Sequence, residues 1–341
     1  MTTLTQRSGA TDKPGRTVDR KTARHLVEGA IAMSTLGAST AVSAHLTAYP
    51  VLGGQALRYL LATAVLFAII RRKDRKPATA QPADGHDRPP EPRAARRRTP
   101  RATPREWALI TALSLTGLVL FNVFVLAALR HTDPATLGSV VSCTPLLLSV
   151  LGPIVASTGR RMRLRTTLLA SGLVAAGSAL VQGFGHGTPS GLLLAVAVLV
   201  CEVLFSLLAV PLLPRFGELR VSAYVTAMAV PVLLVAGLAA EGTAMLRVPT
   251  AAEAAALLYL ALPLTVGAFL LWYRTLTGLG PQRAGLLIGC VPISACAASA
   301  ALGVGTPGLP QLAGVLVVVA GIIAGLTGPA RPAPDRPARL G

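Results

Sequence analysis

Apolar residues run along this chain in blocks of about twenty, separated mostly by short polar stretches. A helix rising ~1.5 Å per residue needs about 20 residues to cross a hydrocarbon core ~30 Å thick. On that ruler ten spans are predicted, at roughly 27–47, 52–70, 106–128, 134–157, 166–183, 190–210, 219–240, 251–273, 282–302 and 310–328. Backbone amides in lipid must be bonded internally, and the alternating strands of a closed barrel are missing. The predicted fold class is therefore all-α integral membrane.

The blocks contain an internal repeat. Pro-x3-Gly-x4-Cys-x-Pro occurs at Pro134, Gly138, Cys143 and Pro145, and again 147 residues later at Pro281, Gly285, Cys290 and Pro292. The copies fall in spans four and nine, so each half holds five spans. Five crossings reverse direction, which predicts two inverted five-helix repeats, 27–183 and 190–328, of the kind that builds transporters. Pro145 and Pro292 lie about eleven residues into their spans, and each is expected to kink its helix near the midplane. The freed carbonyls, with the hydroxyls of Ser142, Thr144 and Ser294 beside them, line a cavity on one reading; on the other they form a packing kink with no ligand.

Composition fits a membrane protein: 341 residues, 52% hydrophobic, mean hydropathy +0.60. The net charge of +18 alone would suit a nucleic-acid binder, but the distribution of the 32 Lys and Arg residues decides otherwise. All but Arg58, Arg130 and Arg247 lie in the termini or in loops on one face of the predicted topology. That is the positive-inside pattern, with both termini cytoplasmic and no nucleic-acid partner implied. The basic segments 1–26, 71–105 and 329–341 are expected to be a disordered N-terminus, a disordered Arg/Pro-rich loop and a tail. The loop is either a linker that brushes anionic lipid or a partner-binding surface. Ala41-x-Ser43-Ala44 offers a signal-peptide cleavage pattern, but the run around it is long and continues into a second apolar block, which suits a polar-lined first span. Cys143, Cys201, Cys290 and Cys296 sit inside apolar runs without metal spacing and read as packing residues.

A few polar positions stand inside the spans. Glu202 is near the centre of span six, where a charge costs about 2.5–3.5 kcal/mol, so it should face the bundle interior. It is read as a proton-coupling residue, as a partner for a cationic substrate group, or as a structural interhelical hydrogen bond. Arg58, with Tyr59, opens span two: it either snorkels outward or turns into a cavity and holds an anionic group. Asn122 in span three is a further substrate candidate. Trp272 and Tyr273 in span eight are candidates too, or interface anchors. Small residues in span one, Ser34, Gly37, Ser39 and Ser43, would allow close helix contact. No phosphate loop, HExxH or Cys/His ligand set occurs, so no cofactor, metal or enzymatic chemistry is indicated. Gly183-Phe-Gly-His-Gly187 reads as an external turn.

The Arg58-Tyr59 pair, the apolar run to Ala127-Ala128-Leu129, the Pro134 to Pro145 motif, Gly172 and Gly177, and Gly314 and Gly321 together resemble the EamA-type branch of the drug/metabolite transporter superfamily, over residues 27–328. The resemblance implies an inner-membrane permease with a central cavity, exporting amino acids or related metabolites, while other members move purines, drugs or sugars. The family usually carries a Glu just after spans four and nine, whereas this chain has Arg160 to Arg163 and Gly305-Thr306 there.

The expectation is alternating-access transport of a small polar metabolite, with membrane lipids and protons as partners and with monomer and homodimer both open. A sensor or scaffold using the 71–105 loop is one alternative. A membrane enzyme on lipid-linked substrates is another, disfavoured because His25, His45, His86, His131 and His186 are scattered.

Overall fold

A computed structural model describes residues 20–75, 102–155, 164–303 and 305–327. Among the described residues the chain is helical throughout, with one isolated bridge, Thr132 to Gly187, and no strand. The rods in order are α1 (Arg20–Ser43), α2 (Val51–Arg75), α3 (Pro104–Ala128), α4 (Pro134–Val155), α5 (Leu164–Gln182), α6 (Pro189–Ala209), α7 (Leu213–Glu241), α8 (Ala251–Leu279), α9 (Pro281–Ala301) and α10 (Leu309–Thr327). Eight of them, all but α1 and α5, are long and apolar enough to cross a membrane, and the protein is an all-α integral membrane protein. The other two are more polar: α1 opens on Arg20, Lys21 and Arg24, and α5 is interrupted by Thr166, Thr167, Ser171 and Ser178.

Local signals start several rods. Thr103 and Glu106, and again Thr250 and Glu253, form reciprocal capping boxes that satisfy amide donors otherwise orphaned at a helix start. Pro104, Pro134, Pro189 and Pro281 occupy first-turn positions, where a missing N–H costs nothing.

Three expected boundaries are corrected, one of them at the far end of the expected 71–105 loop, where Pro104 and Arg105 already open α3 behind the Thr103 cap. Residues 20–26 are helical rather than disordered, with Arg24 paired to Glu28 one turn on at 2.9 Å. Residues 71–75 continue α2, whose terminal Arg72, Lys73 and Arg75 complement the helix dipole. The remainder of the N-terminal and loop predictions (1–19 and 76–101), Arg160 to Arg163 and the tail after 327 lie outside the described residues.

α4 and α9 are both interrupted. α4 breaks at Ser142 and Cys143, and α9 passes through a 3-10 turn at Leu287–Gly289. Pro145 and Pro292 stand just after these breaks, near the start of the following helical segment, rather than at the break itself. The cause is steric: a proline disfavours helical geometry in the residue before it and cannot donate backwards. A second pair of irregularities has no counterpart in the sequence reading. α3 widens into a π-helix at Leu115–Leu120 and α8 does so at Leu260–Ala268, where Pro263 removes a donor. Shifting the first π segment by the 147-residue repeat lands it inside the second.

Packing is closest where small residues let backbones meet. A Cβ added to Gly177 of α5 would lie 2.7 Å from the Val318 nitrogen of α10 and 2.8 Å from the Gly314 oxygen. Gly314 faces Val181, Gly321 faces Val174, and Gly325 faces Ala170, so α5 and α10 run antiparallel. The broken rods meet in the same sense, with Gly152 against Pro281 and Gly285 against Leu148. α2 and α7 are antiparallel as well: Gly53 near the start of α2 meets Glu241 at the end of α7, and Thr63 meets Thr226 farther along.

The Arg-rich end of the bundle is laced around the start of α7, where Gly217 (φ +71°) breaks the helix in a conformation that favours glycine. There Arg215 pairs with Glu106 of α3 at 2.5 Å, Arg220 with Asp74 of α2 at 3.4 Å, and Glu218 with Arg274 of α8 at 3.0 Å. At the opposite end the Tyr49 hydroxyl donates to the Arg247 carbonyl at 2.9 Å, and Arg247 pairs with Glu253.

Candidate functional site

The end opposite the ion-pair lattice is open. A cavity of about 420 Å³ lies there, lined among others by Tyr49, Val51 and Leu52, by Leu126 within α3 and Arg130 just after it, and by Glu241. Glu241 is fixed in the wall, because its carboxylate accepts the Leu52 and Gly53 amides at 2.7 and 2.9 Å in the first turn of α2. Burial pushes the Tyr49 phenol above its usual range, so it stays protonated.

Helical periodicity carries two walls of this cavity downward. On α2, Val51, Gln55 and Arg58 follow each other at turn spacing. From Arg130, Leu126 and then Asn122 recur at four-residue intervals along α3. The stripes converge: Asn122 Nδ2 approaches the Tyr59 hydroxyl at 3.4 Å and also donates to the Leu118 carbonyl within the π segment.

Arg58 points into the protein. Its Nε donates to Thr265 Oγ1 at 2.7 Å, a second nitrogen donates to Gln55 Oε1 at 3.2 Å, and the guanidinium sits 5.0 Å from the Tyr59 ring centroid. Thr265 is fully buried in the π segment of α8, where its own hydroxyl donates to the Leu260 carbonyl five residues back. Arg58 lies seven residues past Val51, ~10 Å along α2, while Thr265 lies fourteen past Ala251, ~21 Å along α8 from the same end. The side chain therefore reaches toward mid-depth, the reverse of snorkelling. No carboxylate lies within ion-pair distance of it among the described residues.

Glu202, on α6, faces the break in α4. The Thr144 side chain lies beside it within hydrogen-bonding range, while Glu202 Oε2 is buried with no hydrogen-bond partner among the described residues. Ser142 donates to the Gly138 carbonyl at 2.8 Å, and Ser294 donates to the Cys290 and Val291 carbonyls of its own helix at 2.9 and 3.0 Å. Each serine thus consumes a carbonyl near its break and keeps only lone pairs to offer a ligand.

Trp272 and Tyr273 are core residues rather than interface anchors, at 3% and 0% exposure. Trp272 Nε1 donates to Ser206 Oγ at 3.3 Å, one turn past Glu202, and Tyr273 packs on Phe205 and Phe269. The Tyr273 hydroxyl is buried without a partner among the described residues. Sequence alone cannot separate an aromatic belt from an aromatic core, because both put the same residues near a span end.

The cavity described above is lined by Arg130 and Glu241 but by none of the predicted site residues. Arg58 and Asn122 lie beneath it, Glu202 and Thr144 on the neighbouring α6 and α4. Three participants escaped the sequence reading: Gln55, Thr265 and Glu241. Pro263 was the available signal for the π turn that buries Thr265, and nothing local marked Glu241.

Residues 189–326 match the EamA-like transporter family. A curated relative, the uncharacterized transporter YetK of Bacillus subtilis (strain 168), is 26% identical over 291 residues, covering 83% of this chain and 81% of the relative. A solved structure described only as the crystal structure of a protein aligns with a TM-score of 0.66 at 17% identity, over 89% of this chain and 96% of that one. At that identity it speaks for the fold alone.

Proposed function

We propose that this chain is an EamA-type member of the drug/metabolite transporter superfamily, a ten-span, inverted-repeat permease that moves a small polar metabolite by alternating access. The observation that carries this reading is the antiparallel packing of repeated elements: α4 on α9, α5 on α10 and α2 on α7. If the halves are copies, equivalent helices that run in opposite directions mean opposite orientation in the membrane. The paired breaks and paired π segments supply matching weak points in each half. In this reading α1 and α5 are the remaining spans, and their polar faces are covered by neighbours: Gly37 of α1 lies against the Val291 carbonyl and Ser294 of α9.

The ends differ in the way alternating access requires. The cavity opens at one, and three interhelical ion pairs tie α7 to α2, α3 and α8 at the other. The basic termini and loop make the tied end cytoplasmic and the membrane the inner one, so the conformation is outward-open. Net movement is outward, with an amino acid or related compound as cargo. Glu202 binds and releases the coupling proton: it has one hydroxyl neighbour and one unpartnered oxygen beside the α4 break, so a change of its charge bears directly on that joint.

The test is flux. Full-length protein in proteoliposomes loaded with a mixture of the common amino acids, with an imposed pH gradient, should show gradient-driven movement of some members. Glu202→Gln should reduce the driven flux about tenfold or more while passive exchange survives. Undiminished driven flux in that variant removes Glu202 from the mechanism, and absence of any flux from the wild type removes the permease.

A further inference from the structure

We infer that the outer cavity leads to a carboxylate-binding site in which Arg58 holds the anion, backed by Tyr59 and Asn122. The inference rests on the permease reading for its purpose, though not for its chemistry.

An arginine inside a membrane protein normally has a carboxylate beside it, since an unpaired charge in low dielectric is costly. Arg58 has neutral partners only, Thr265 and Gln55, which together occupy two of the guanidinium's five N–H donors. Glu241 of α7, which meets the first turn of α2 above Arg58, is already engaged by the Leu52 and Gly53 amides. Beside Arg58 the Tyr59 hydroxyl accepts from Asn122 and keeps its own proton to give. A fixed cation, spare N–H groups and a free O–H donor form a donor set that lacks its acceptor.

Position sets this gap directly beneath the cavity. The α2 stripe through Gln55 descends from the cavity wall to Arg58, and the α3 stripe descends from Arg130 through Leu126 to Asn122. Arg130, exposed at the rim, also has no carboxylate partner among the described residues, so an incoming anion meets two free positive charges in succession. They stand roughly two to three helical turns apart, too far to share one headgroup. The lower site therefore has a single cation, which balances one negative charge. That favours a monoanionic carboxylate over a phosphate dianion. The planar guanidinium also matches a carboxylate edge-on. Because Arg58 bridges α2 to the π segment of α8, and Tyr59 bridges α2 to Asn122 beside the π segment of α3, an anion seated there bears on both irregular helices.

Binding is read separately from transport. Purified full-length protein is heated with leucine, phenylalanine, serine or lactate, each against its own amide, and with inorganic phosphate. Carboxylates should raise the melting midpoint of the wild type, amides should not, and Arg58→Gln should raise the half-saturating concentration about tenfold or more. Thr265→Val removes the structural partner and leaves the charge, so it should retain the preference for carboxylates. Arg58→Lys keeps a charge without the fork, should give an intermediate shift, and serves if the glutamine variant does not fold. No stabilisation by any carboxylate, equal stabilisation by the amides, a response to phosphate alone, or an unchanged response in Arg58→Gln overturns the assignment. Carboxylate binding as expected with no flux of any compound would uphold the site and sink the permease.

Discussion

Replacing Gly314 by valine should cost about 3 kcal/mol or more and leave little folded protein after solubilisation. The new Cβ would stand 2.7 Å from the Gly177 oxygen and 2.8 Å from the Val181 nitrogen, both backbone atoms of α5, so no rotamer change relieves the clash. The two rods would have to separate along a seam that also includes Gly177, Gly321 and Gly325. Gly172 is the internal control. It lies on the facing rod, α5, but an added Cβ there meets nothing within 4 Å, and Gly172→Ala should be neutral or gain up to about 1 kcal/mol from reduced backbone entropy. Thermal unfolding of the two variants side by side, followed by size-exclusion chromatography, measures the contrast. Equal melting points would show that the α5 and α10 seam is not close-packed.

The second large effect is expected at Glu241. Its carboxylate accepts two amides in the first turn of α2, and hydrogen bonds to a charged acceptor contribute about 1.5–3 kcal/mol each when buried. This one is half-buried, so a loss of about 2 kcal/mol is expected for Glu241→Ala, with Glu241→Gln retaining part of it. The loss should be local before it is global. Hydrogen exchange at the Leu52 and Gly53 amides should accelerate in Glu241→Ala more than exchange at the far end of α2, and the cavity wall above Arg58 should loosen with it. Uniform acceleration along α2 would show that Glu241 does not anchor this end.

How much of this was legible in the sequence follows from the range of each interaction. Apolar block length reported the rods, since a helix in lipid must satisfy its own backbone. The repeated proline motif reported the breaks in α4 and α9 to within a few residues, because a proline acts on the turn that precedes it. Gly177, Gly314 and Gly321 could be picked out as resemblance residues, and the structure supplies their reason in the α5 and α10 seam. At Gly172, picked out with them, an added Cβ would meet nothing within 4 Å.

Long-range pairing was harder to see. Arg58 and Thr265 are 207 residues apart, and only a π turn that shifts the helical register brings the hydroxyl to the guanidinium. Trp272 and Tyr273 looked interfacial because sequence places them along a span but does not say which side faces lipid. α1 extended farther than its apolar run because a helix does not end where hydrocarbon ends, and the Arg24 and Glu28 pair supports its polar start.

Everything functional depends on whether α1 and α5 cross the membrane and so turn the two halves upside down relative to each other. Thiol labelling with a membrane-impermeant reagent addresses this directly, using single cysteines in a cysteine-free background at Lys21 and His45, which flank α1, and at Arg165 and Phe184, which flank α5. In intact cells stripped of their outer layers, cysteines at 45 and 184 should react and those at 21 and 165 should not, until the membrane is opened. Finding both members of either pair on the same side would contradict the inverted arrangement of five and five.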